Sequence, residues 1–103
     1  MSASIVSMSS IEEARQNIDQ VNEEIVQSVD KRMSEVMRII EYKEEQNKEV
    51  RDEEREESVM KQFADRFEEL GYPRGRGRQL GRVLIDLAVD LEREELDKRR
   101  GNE

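Results

Sequence analysis

The chain contains no cysteine, no histidine and no tryptophan. That excludes a disulfide framework, a zinc site of the Cys/His type and every Cys-His or Ser-His-Asp nucleophile, and leaves general-base chemistry to carboxylates. Aromatic residues are four in number, Tyr42, Phe63, Phe67 and Tyr72, and hydrophobic residues make up only 34% of the sequence. A thick globular core is therefore excluded, and the choice lies between helices and disorder. Nowhere do ~18 apolar residues run together, and residues 1–10 have neither a basic start nor a continuous apolar stretch. These features lead us to expect a soluble, cytoplasmic chain with no membrane partner.

Basic residues are also in deficit: 18 Lys and Arg stand against 26 Asp and Glu, a net charge of −8. A general binder of phosphate backbones or anionic membranes is not built this way, so any basic site must be local. The 103 residues amount to one small domain, 1–103, with 1–9 and 100–103 expected to fray. A single core of that size is marginal by itself, and a partner chain would help.

The only proline, Pro73, lies far along the chain, and no apolar/polar alternation bounded by turns marks a strand. The fold class is therefore all-α, with three helices. Ser9 and Ser10 precede Glu12 and Glu13 at capping-box spacing, which starts a first helix near Ser10 and lets it run to about Gln46. Such a helix is on the order of 50 Å long, too long to fold back on itself in a small domain, so something else must cover it. Asp52 is placed to cap a second helix over Glu53 to Leu70, ended by Gly71. Tyr72-Pro73-Arg74-Gly75-Arg76-Gly77-Arg78 reads as a loop, and a third helix follows from Gln79 to about Arg99.

On the first helix Ile11, Ile18, Ile25, Arg32 and Ile39 form a seven-residue series with an arginine where an aliphatic belongs. At about 100° per residue, Lys43 falls within roughly 20° of Arg32, so two long cations sit inside the apolar stripe, and Arg15 lies at its edge. Singly, such cations snorkel past the stripe; together they need partners. On the second helix Asp52, Arg55 and Glu56 extend the apolar face of Val59, Met60 and Phe63. On the third, with Leu80, Val83, Leu84, Leu87 and Leu91 as the stripe, Asp90 and Glu94 join the inward side. A polar pocket walled by helices follows. Arg15 and Arg32 are about 25 Å apart along one axis, too far to grip one small ligand easily from the same straight helix, whereas two chains paired antiparallel could bring them together. Cations converging on such a pocket suit a small dicarboxylate whose reaction needs positioning and charge stabilisation rather than proton transfer.

The run Ala14-Arg15-Gln16-Asn17-Ile18-Asp19-Gln20-Val21-Asn22, followed by Lys31-Arg32, Tyr42-Lys43 and Val50-Arg51-Asp52-Glu53-Glu54-Arg55-Glu56, resembles the all-helical chorismate mutases over about residues 10 to 70. The resemblance implies an intertwined antiparallel homodimer of three-helix chains that rearranges chorismate to prephenate by an intramolecular Claisen shift, in aromatic amino-acid biosynthesis and with no cofactor. It implies that Arg15 of the second chain and Arg32 bind the two substrate carboxylates, and that Lys43 hydrogen-bonds the ether oxygen. It further implies that Glu56 holds the ring hydroxyl, Asp52 contributes near the start of the second helix, and Arg55 orders the carboxylate end. The family often has a small hydroxyl residue in the third helix and, four positions on, a glutamine that donates to the ether oxygen; with Leu87 and Leu91 on the wall, these places fall to Asp90 and Glu94. Glu94 donates only when protonated.

Two other readings stand beside this one. The Arg74–Arg78 tract is an RG-type sequence of the kind that contacts RNA, but it is short, nearly free of aromatics and set in an acidic chain. The charge runs Glu44-Glu45, Glu53-Glu54 and Glu56-Glu57 suit a non-enzymatic helical interaction module. Replacing Arg32 or Lys43 by an aliphatic would leave such a module unharmed or stabilised. The acidic clusters contain no loop of the calcium-binding kind, so no metal is expected.

Overall fold

A computed structural model describes residues 3–45 and 52–101. Three helices follow one another, α1 (Ala3–Glu45), α2 (Glu53–Glu69) and α3 (Arg74–Gly101), and no strand occurs among the described residues. The chain divides into two units, Met1–Arg32 and Met33–Glu103.

The first unit is the N-terminal part of α1. Its helix begins at Ala3, not near Ser10: the residues from Ala3 to Ser9 include neither glycine nor proline, so nothing in them stops a helix. Fraying at Met1, Ser2, Asn102 and Glu103, and a helix end at Gln46, lie outside the described residues. From Ser10 to Ser28 every side chain is exposed, including Ile18 and Ile25, each more than half accessible. Val29 and Arg32 are half-buried.

In the second unit, α2 starts as its sequence dictates. Asp52, in extended conformation, accepts a hydrogen bond at Oδ1 from the Arg55 backbone N–H at 3.0 Å, and Glu53, Glu54 and Glu56 occupy the positive first turn. At the other end Gly71 takes φ 88°, the left-handed conformation that glycine adopts without strain. The Tyr72 N–H then donates to the Phe67 carbonyl at 2.8 Å and the Gly71 N–H to the Glu68 carbonyl at 3.0 Å, which is the Schellman arrangement. The Phe67 and Tyr72 rings, 5.9 Å apart, close it.

The Arg-Gly tract is helix rather than loop. Pro73 offers its carbonyl to the N–H groups of Arg76 and Gly77, and α3 starts at Arg74. Gly77 is buried against α2 so closely that a Cβ there would stand 2.5 Å from the Phe63 carbonyl oxygen and 2.8 Å from Phe67 Cγ. Gly81, one turn on, meets the Met60 backbone in the same way, with 3.2 Å to its Cα. The two glycines thus form a groove that receives α2, and packing outweighs their low helix propensity. Arg74 reaches Asp65 and Glu68 at 2.7 and 2.6 Å, and Arg78 reaches Glu57 at 2.7 Å, so two arginines of the tract are engaged by acids of α2.

That groove sets the face α3 turns to the core. Val59 and Met60 of α2 pack with Ile85 and Val89 of α3, Phe63 against them. The stripe expected on α3 is therefore corrected: Leu80, Val83 and Leu87 are exposed, Leu84 and Leu91 only half-buried, and Gly77, Gly81, Ile85, Val89 and Glu92 are buried. The helix carries two apolar faces, and the glycine-lined one wins because only it admits the α2 backbone.

Candidate functional site

In the second unit, Val36 and Ile40 of α1 are buried, and Lys43 follows at the next step of the same face, its side chain only 23% exposed. Its ammonium lies 3.6 Å from Oε1 of Glu92, which the α3 packing turns inward one turn after Ala88. Glu56, in the first turn of α2, is buried as well, and Arg82 of α3 brings Nη1 to 3.5 Å from its Oε1. Lys43, Glu56 and Glu92, each from a different helix, thus place an ammonium and two carboxylates away from bulk water.

The electrostatics of Glu92 follow from its position. Burial pushes its carboxyl above the usual range; the charge and hydrogen bond of Lys43 pull it back, and the negative charge of Glu56 adds to the upward push. Its Oε2 is buried and meets no hydrogen-bonding partner among the described residues. A carboxylic acid donates a hydrogen bond where a carboxylate only accepts, so the protonation state of Glu92 decides whether it stands beside Lys43 as a second donor.

The expected residues are distributed as follows. Glu56 is buried and Lys43 half-buried, whereas Ile11, Ile18, Ile25 and Ile39 of the stripe read on α1 are exposed. Asp52 is exposed and serves as the α2 N-cap, and Arg55 is exposed. Arg32, half-buried, and Arg15, exposed, belong to the first unit. Asp90 and Glu94 do not turn inward: both are exposed, and Glu94 pairs with Lys98 at 3.8 Å along its own helix. The inward acid is Glu92, because choosing the glycine-lined face instead of the leucine face rotates the helix. Glu92 and Arg82 were missed by the sequence reading. The signal was present in the series Gly77, Gly81, Ile85, Ala88 or Val89, and Glu92, steps of three and four residues that begin with two glycines.

A family model described as chorismate mutase type II matches residues 14–93. The span includes Arg15, Arg32, Lys43, Glu56, Ala88 and Glu92 and stops one residue short of Glu94. No curated protein and no solved structure gives a significant match.

Proposed function

The chain belongs to the chorismate mutase type II family and is an isomerase acting on chorismate, and from that premise we propose how its residues divide the work. In the rearrangement to prephenate a C–O bond breaks as a C–C bond forms within one molecule, so no proton is transferred and no nucleophile is needed. The protein contributes by holding the reactive conformer and stabilising the negative charge that gathers on the ether oxygen.

Lys43 and protonated Glu92 donate hydrogen bonds to that oxygen. Glu56 accepts from the ring hydroxyl. Arg32 binds one substrate carboxylate and Arg15 of a second copy binds the other, with Arg55 ordering that end and Asp52 fixing the start of α2 and hence Glu56. The donor role that the resemblance placed at Glu94 passes to Glu92, and the small residue one turn earlier is Ala88, which has no hydroxyl to offer.

The observation that carries this reading is the Lys43 ammonium 3.6 Å from Glu92, a carboxyl pushed toward its protonated form, one oxygen of which meets no hydrogen-bonding partner among the described residues. Supply of Arg15 in trans requires an antiparallel homodimer, and exposed Ile11, Ile18 and Ile25 on α1 with Leu80, Val83 and Leu87 on α3 are apolar surface that a second copy would cover. No described helix is long and apolar enough to cross a membrane, and we place the reaction in the cytoplasm, within aromatic amino-acid biosynthesis. The test is to follow chorismate consumption by the purified protein and its Arg32→Ala and Lys43→Met variants. Turnover by the wild type and its loss in both variants is expected; variants as active as the wild type would overturn the assignment.

A further inference from the structure

Two buried carboxylates in one enclosure repel each other, and both stay ionised only where cations compensate them. Glu92 has Lys43 of α1. Glu56 has Arg82 of α3, whose guanidinium lies 3.5 Å from it and 3.7 Å from Asp86 one turn further along α3. Another α2–α3 ion pair, Arg78 with Glu57 at 2.7 Å, is geometrically tighter but joins two exposed side chains, where water replaces either partner at little cost. The Glu56 side chain is only 11% exposed, so its charge depends on what the protein supplies.

We propose that Arg82 is a positioning residue for the rearrangement: by bracing Glu56 from α3, it orients that carboxylate toward the substrate's ring hydroxyl and makes Glu56, not Glu92, the acid of the pair that carries the negative charge. This rests on the assignment of Glu56 to the ring hydroxyl and of Glu92 to the ether oxygen. Among the described residues, Glu92 is faced by Lys43 from α1 and Glu56 from α2; Glu56 is faced by Arg82 and Glu92 from α3; Arg82 is faced by Asp86 from its own helix and by Glu57 from α2. An ionised Glu56 disfavours ionisation of Glu92, so the arginine acts on the proton donor at second hand, through the charge of its partner.

The sign follows. Removing the Arg82 charge raises the Glu56 pKa; a more protonated Glu56 repels Glu92 less, so the Glu92 pKa falls. Arg82→Gln is therefore expected to raise KM about threefold or more and to move the alkaline fall in kcat/KM to lower pH. Arg82→Lys, which keeps the charge, restores the profile, and Arg78→Gln leaves both readouts at wild-type values. Carboxyl 13C titration of glutamate-labelled protein without substrate, assigned with Glu56→Gln and Glu92→Gln, should show Glu56 titrating higher and Glu92 lower in Arg82→Gln. An Arg82→Gln protein whose two carboxyls titrate where they do in the wild type overturns the proposal whether or not chorismate is consumed. So does a KM shift matched by Arg78→Gln, which would mean that only helix docking had been weakened. A mutase assay negative for the wild type counts against the functional reading, and the substrate-free titration still decides the charge assignment.

Discussion

Replacing Glu92 by Gln tests the reacting end of the site most directly. At 3.6 Å the charges of Lys43 and Glu92 attract by about 5 kcal/mol at an effective dielectric constant near 20. Taking each ion out of water costs several kcal/mol, so the two contributions nearly cancel. Burial of Oε2, which meets no partner among the described residues, and the nearby Glu56 charge then push the Glu92 pKa upward. If the protonated acid is the donor, kcat/KM of the wild type falls about tenfold per pH unit above that pKa, the slope of a single proton. Glu92→Gln keeps an N–H donor that does not titrate, so its profile stays flat through the same range. Glu92→Ala, which has no donor, loses about 100- to 1000-fold at the acidic end. Stability gives an independent reading. A carboxyl whose pKa is raised on folding binds more protons in the native than in the unfolded state, so its contribution is fully present below the unfolded pKa and is lost as pH rises through the folded one. Denaturant unfolding at a series of pH values should thus show Glu92→Gln gaining stability relative to the wild type as pH increases. An alkaline fall in activity that survives in Glu92→Gln, or a stability difference independent of pH, would refute the reasoning.

If Arg15 is supplied by the second copy and Arg32 by the first, Arg15→Ala and Arg32→Ala are each inactive alone, but exchange of chains on mixing gives one intact site per mixed dimer, recovering about a quarter of wild-type turnover; no recovery after verified exchange would place both arginines in one chain's site. If the exposed stripe of α1 is where a second copy docks, Ile18→Glu puts a charge into it, and sedimentation equilibrium should show monomers with loss of activity where the wild type is dimeric; a variant with the mass of the wild type would refute docking through this stripe. Gly77→Ala should destabilise by about 1–3 kcal/mol in thermal unfolding, because its Cβ meets the Phe63 backbone. Helix propensity alone favours alanine by about 1 kcal/mol, so a stabilised variant would show that the close approach of α2 and α3 is not tight.

The residues most legible in advance were those whose position on a helix fixes their surroundings. Lys43 was placed on one stripe with Val36 and Ile39; Val36 is buried and Lys43 half-buried, but the aliphatic buried with them is Ile40, and Ile39 is exposed. Glu56 lies on the same side as Val59, Met60 and Phe63 and is enclosed with them. The Arg74–Arg78 tract was legible only as glycine and proline, which in isolation favour a loop; its helicity depends on the α2 backbone lying against Gly77 and Gly81, a contact between residues far apart in the chain. Asp90 and Glu94 were assigned by taking the leucines of α3 as its buried stripe, and that same long-range contact displaced them in favour of Glu92.

The sequence by itself determined that this protein is all-helical, where α2 begins and ends, and that cations interrupt an apolar stripe, because propensity, capping and periodicity act among neighbours along one chain. Only the tertiary structure decided which of two apolar faces α3 buries. That choice depends on how closely two helices can approach, and side-chain volume at the crossing sets it; with it came the identity of the acid beside Lys43.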